Sequence, residues 1–140
     1  MNSNQFKQII NDSLIPFGFR RQQDVFWIRK AEEISMRVWL RESNAFYTLH
    51  TYYVINKISK EHPWDCECDT NFRWSRRQFL DIFDLECTDI PDDVRTESLS
   101  SLISESFSIH HFIETEEELR KMLIKERVPV FRTVRNYLGL

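Results

Sequence analysis

The sequence predicts one α+β domain spanning residues 1–140, an antiparallel sheet of about four strands packed against an N-terminal helix and a C-terminal helical group. Three observations carry that prediction. Apolar residues recur at helical spacing at the start of the chain, alternate with period two through the middle, and return to helical spacing in the second half. A chain of 140 residues can bury a single core. With 41% hydrophobic and 14% aromatic residues it is too apolar to remain disordered, and no repeat, linker or break in composition divides it.

The elements follow in order. In "SNQFKQIINDSLIPFGF", Phe6, Ile9, Ile10 and Leu14 form one stripe, Ser3 is available as the cap, and Pro16 and Gly18 end the helix. Gly18 permits a sharp helix-to-strand turn anchored by Phe17 and Phe19. "FRRQQDVFWIRK" and "ISMRVWLRE" read as two strands joined through "KAEE". In the second, Ile34, Met36, Val38 and Leu40 make a core face, and Ser35, Arg37, Trp39 and Arg41 make the other. "AFYTLHTYYVI", aromatic and β-branched on both faces, belongs in the middle of the sheet.

The stretch "EHPWDCECDTNFRW" gathers two cysteines, a histidine and several acids, and it too reads as a strand. Pro63 marks its start. Alternation then puts Cys66, Cys68, Thr70, Phe72 and Trp74 inward and Asp65, Glu67, Asp69, Asn71 and Arg73 outward. "SRRQFLDIFDL" and "PDDVRTESLSSLISESF" read as helices, the second opening on Pro91 with Asp92 and Asp93 where the helix dipole favours acids. "SIHHFI" is a short strand or a helix end. In "TEEELRKMLIKERVPVFRTVRNYL" a capping box joins Thr115 to Glu118, Leu119, Met122 and Leu123 share a stripe, and Pro129 kinks or splits the helix.

Composition removes several classes of function. Gly18 and Gly139 are the only glycines, so no glycine-rich phosphate loop can be built. A formal charge of −3 argues against neutralising phosphates as the main task, which makes nucleic acid an unexpected partner. The N-terminus has no basic segment followed by an apolar run and cleavage site, and no apolar run reaches the roughly 20 residues of a membrane span, so a cytoplasmic location is expected. Cys66, Cys68 and Cys87 are an odd number, and reduced thiols are the expectation.

The chemical candidates are weak. His62, Cys66, Cys68 and Cys87 carry zinc-type donors, but C-x-C on a strand lacks the paired CxxC turn of structural zinc sites, so no metal is predicted. Asp65, Glu67 and Asp69 beside the cysteines disfavour a thiolate nucleophile. No GxSxG elbow occurs, and His110 and His111 read as one packed and one exposed imidazole. No enzymatic activity and no cofactor are predicted.

An N-terminal amphipathic helix, "LIPFGFRRQQDVFWIRK", a strand pair ending near "YVI", a "CDTNFRW" strand and a closing "EELRKMLIKERVPVFRTV" together resemble a bacterial family of small domains of unknown function, the one numbered forty-three hundred and four. The resemblance covers most of the chain. It implies a compact α+β domain in the bacterial cytoplasm without an established reaction or cofactor, and it supplies no catalytic residues.

Two surfaces remain as candidates. The acidic residues Asp81, Asp84, Glu86, Asp89, Asp92 and Asp93 could steer a basic partner by long-range attraction. In a bacterial cytoplasmic domain without catalytic motifs, that suggests non-enzymatic protein binding, with immunity to a basic toxin by occlusion as the leading expectation. The alternative is a ligand- or single-stranded-nucleic-acid-binding module on the face shared by Arg37, Trp39, Arg41, His50 and Tyr52, where arginines and rings could stack a base or grip a carboxylate. The simpler reading of that face is cross-strand ion pairing of the arginines with Asp65, Glu67 and Asp69.

Overall fold

The computed structural model describes residues 1–43, 46–75 and 82–140, without the side chains of residues 43 and 71–75. Helix α1 (Ser3–Leu14) is capped one residue earlier than expected. Asn2 accepts the Gln5 N–H at 2.8 Å and the Gln5 side chain accepts the Asn2 N–H at 2.9 Å, a complete capping box. Ser3 is occupied elsewhere, its hydroxyl 2.8 Å from that of Tyr47. A single 3₁₀ turn, Ile15–Phe17, follows, and Gly18 reverses the chain at φ 89° with its N–H donated to the Ile15 carbonyl.

The sheet is antiparallel but has five strands rather than about four: β1 (Arg20–Gln23), β2 (Phe26–Arg29), β3 (Ile34–Ser43), β4 (Phe46–Ile55) and β5 (Glu67–Ser75), in spatial order of the chain. The extra strand arises because "FRRQQDVFWIRK" is a hairpin, not one strand. Arg21 donates to the Asp24 carbonyl at 2.7 Å and to its carboxylate at 3.1 Å, and Lys7 pairs with that carboxylate, which holds the reversal at Asp24. The short edge strand β1, exposed throughout and carrying Arg20 and Arg21, is a form that discourages edge-to-edge pairing. β3 is the central strand, and β4 lies between it and the edge strand β5.

Alternation decides the two faces. Trp27, Met36, Val38, Leu40, Leu49 and Tyr53 are buried on the inner face. Helices α1 and α2 (Asp92–Ile109) lie over that face. Phe6, Ile10 and Leu14 from the first, and Leu99, Ile103 and Phe107 from the second, join the same apolar cluster. The helical stripe of α2 thus repeats every four residues, the spacing that keeps one face inward. Trp27, fully buried, donates its indole N–H to Asn11 at 3.0 Å, so the largest core residue leaves no polar atom unmet.

The remaining expectations divide. Ser75 closes β5, residues 76–81 of the expected "SRRQFLDIFDL" helix lie outside the described residues, and 82–85 form turns with an isolated bridge from Phe46 to Asp84. The expected α2 is present, with Asp92 and Asp93 in its first turn. "SIHHFI" becomes the end of α2 and then an extended link, whose last neighbour Glu114 accepts the Ile34 N–H through its carbonyl at 3.2 Å. The C-terminal segment divides at Pro129 as expected, into α3 (Glu116–Glu126) and α4 (Arg132–Leu138), with Leu119, Leu123, Val134 and Leu138 in the core. Among the described residues no helix is long and apolar enough to cross a membrane.

At the start of α3, the Thr115 hydroxyl accepts the Glu118 N–H at 3.1 Å, as the sequence predicts. The expected return from the Glu118 carboxylate to the Thr115 backbone is replaced: one oxygen accepts from the Thr115 hydroxyl and the other lies 3.0 Å from His111. Thr115→Ala should therefore lower stability by about 1 kcal/mol, seen as a reduced midpoint in urea denaturation at unchanged slope.

Candidate functional site

Among the described residues the two longest helices, α1 and α2, pack on the inner face, so the side chains of the outer face shield it. Register places Arg37 opposite Tyr52, Trp39 opposite His50 and Phe26 opposite Trp39, which brings Arg37, Trp39, Arg41, His50 and Tyr52 onto one surface as the alternation predicts. Phe26 stacks on Trp39 with centroids 5.9 Å apart, Trp39 lies 5.9 Å from His50, and His50 stacks on Tyr52 at 6.2 Å. Arg41 lies over the Trp39 ring at 5.7 Å.

Arg37 is the centre of this surface. Its guanidinium lies over Phe26 at 4.8 Å and over Tyr52 at 5.4 Å, and one nitrogen donates to the Glu67 carboxylate at 2.6 Å. The ion pair expected between neighbouring strands instead spans β4, from β3 to β5, passing over Tyr52. Both side chains are largely buried. Burial pushes the Glu67 carboxyl above its usual range although Arg37 pulls it down, and the Arg37 Nε–H is buried without an acceptor. The pair is therefore desolvated and held by its geometry.

Beside it lies a pocket of about 630 Å³. Trp39, Tyr52, Arg37 and Glu67 form the sheet side. Trp64, from the turn before β5, and Phe131, from the link between α3 and α4, form the sides away from it. Trp64 is 70% exposed and Phe131 54%. Neither ring contacts another ring or a cation among the described residues, so two large apolar faces stand open on segments far apart in sequence. The volume falls in the range of small-molecule pockets, which are mainly apolar with a few fixed polar groups. Sequence reasoning missed both. Trp64 directly follows Pro63 in "HPW" and Phe131 follows Pro129 by two residues in "VPVF", and both lie outside the strands and helices, where no periodic pattern marks them.

The acidic candidates lie elsewhere. Asp81 is outside the described residues, Glu86, Asp89, Asp92 and Asp93 are exposed, and Asp84 is half-buried. Asp84 accepts the Glu86 N–H at 2.9 Å and Asp92 pairs with the N-terminal amine at 3.0 Å. Their segment is held by a residue that sequence reasoning passed over: Arg95, 2% exposed on α2, donates to the carbonyls of Ile82 at 2.6 Å and Cys87 at 2.8 Å.

The cysteines are free, and Cys66 and Cys68 are buried. Cys68 is in the core, but Cys66 is not on its face. It precedes β5 in a turn whose N–H donates to the His62 carbonyl, and it lines a recess with Ser35 and Val54 of the outer face. Burial raises both thiols, that of Cys68 to about 12, which suppresses the thiolate a nucleophile would need. Of the adjacent pair His110 and His111, the first is half-buried 3.2 Å from the Tyr53 hydroxyl and the second is exposed. Among the described residues no group of three or more His, Cys, Asp or Glu side chains is placed to hold a metal ion.

Removing one member of the desolvated pair strands the other. Arg37→Met should cost on the order of 3 kcal/mol, and adding Glu67→Leu should restore most of it. Simple additivity of the two changes in a denaturation cycle would contradict this coupling. Comparison with protein-family models, with curated proteins and with solved structures finds no match to this chain.

Proposed function

We propose that the chain is a non-enzymatic binding protein whose binding site is the aromatic pocket on the outer face of the sheet. The observation that supports this is the placing of two open rings, Trp64 and Phe131, around a pocket of about 630 Å³ beside a preformed Arg37–Glu67 pair. Open aromatic faces are costly in water and favour a planar or apolar guest, while the ion pair fixes the polar end of the site before anything binds. The reading needs no reaction, and the raised thiols supply no nucleophile for one.

The test is a fragment screen read by the tryptophan indole N–H resonances of the native chain, with Trp64→Ala as the control. Planar fragments should shift the Trp39 and Trp64 signals, and Trp64→Ala should abolish their binding. Hits that leave both signals unmoved and survive the substitution would reject the pocket as the site.

Docking of a basic protein, as in immunity to a toxin, is the second reading. It is favoured by the way Arg95 pins the segment that presents Glu86, Asp89, Asp92 and Asp93 to solvent. Neutralising Asp84, Glu86, Asp92 and Asp93 together should then slow association with the protein captured from the native host and flatten its salt dependence, with only the modest loss of stability that removing the Asp92 ion pair and the helix-dipole acids brings. An on-rate that does not move would remove this reading.

A further inference from the structure

The overall charge of −3 conceals a separation along the chain. Residues 81–118 hold twelve acidic side chains against one Lys or Arg, Arg95, whereas residues 120–140 hold six Lys and Arg side chains against one acidic side chain, Glu126. Within the second group, Arg120 donates to the Leu138 carbonyl and Lys121 pairs with Glu117. Arg127, Arg132 and Arg135 are exposed and make no side-chain hydrogen bond or ion pair among the described residues. Arg132 and Arg135 line a recess of about 480 Å³, and Arg127 and Arg135 line another of about 380 Å³.

These basic recesses adjoin the aromatic pocket. Val130 is a wall of all three, and Phe131, whose open ring faces the aromatic pocket, is next in the chain to Arg132. A planar ring system and an anion can therefore be held side by side across one residue. On the sheet side of the pocket the cation among the lining residues, Arg37, is already paired with Glu67, so the anionic end of a ligand is directed across Val130 toward the arginines of α4, unpaired among the described residues. Guanidinium groups without partners are the side chains best matched to phosphate oxygens, and aromatic faces take any base without regard to sequence.

We propose that this composite site takes a nucleoside phosphate, its base against Trp64 and Phe131 and its phosphate on Arg132 and Arg135. The inference rests on the pocket reading above and adds the class of ligand. Recognition is through side chains, in keeping with a chain whose two glycines build no phosphate loop. The nucleotide can be free or a unit of a single strand, since the chemistry is shared.

Calorimetric titration of the native chain with the common ribonucleoside 5′-monophosphates, their parent nucleosides and inorganic phosphate tests it. At least one monophosphate should bind about tenfold or more tighter than its nucleoside, as charge-assisted hydrogen bonds predict. The double variant R132Q/R135Q should lose that gain yet keep the nucleoside affinity, which also reports that it is folded. Trp64→Ala should lose both. A single-stranded oligodeoxyadenylate that binds far tighter per site, with steep salt dependence, assigns the source to a strand, and parity with the monophosphate assigns it to the free nucleotide. Equal affinity for nucleoside and monophosphate, both lost in Trp64→Ala and unaffected by R132Q/R135Q, overturns the phosphate assignment and leaves the pocket standing. No binding of any nucleoside or nucleotide overturns the proposal, while the fragment screen judges the pocket separately.

Discussion

The helices α1 and α2 share their core with one face of the sheet, and the other face has to solve its own desolvation problem. Everything distinctive about the molecule follows from that one-sided covering. A sheet face left open to water is normally lined with polar side chains. Here Arg37 lies over the rings of Phe26 and Tyr52 in the middle of the face while its charge is met by Glu67. The long guanidinium stem covers apolar surface that would otherwise be wet.

That arrangement links three strands through one side chain. Arg37 on β3 reaches across β4 to β5, so the edge strand is tied to the centre of the sheet by an ion pair as well as by its ladder. The cost of desolvating the pair is evident in Glu67, whose carboxyl is raised by burial despite a guanidinium within hydrogen-bond reach. A ready-made polar floor with a fixed orientation is the result. The rings of Trp39, Tyr52, Trp64 and Phe131 then surround a space where a planar guest would lose little more than water.

Acidic and basic side chains are concentrated in different stretches of the chain. The acidic turns before α2 are held by Arg95, a buried guanidinium that organises backbone carbonyls. Arg132 and Arg135 of α4 line a recess that shares Val130 with the aromatic pocket. Average charge describes neither region, which is why a chain with net −3 can still present a local basic surface.

Periodicity in the sequence was enough to determine the α+β class, the two faces of β3, the stripes of α1 and α3, the break at Pro129 and the Thr115 cap, because each depends on residues within a few positions of one another. Tertiary structure decided the rest. The hairpin at Asp24 depends on Lys7 and Arg21 converging on one carboxylate, and the cap of α1 falls on Asn2 because Ser3 is drawn to Tyr47. Cys66 leaves the inner face because the strand begins at Glu67 and not at Pro63, which leaves Cys66 in the preceding turn. The pocket was illegible for the same reason: Trp64 and Phe131 are 67 positions apart, and only packing of the α3–α4 link against the β5 side of the sheet sets them around one space.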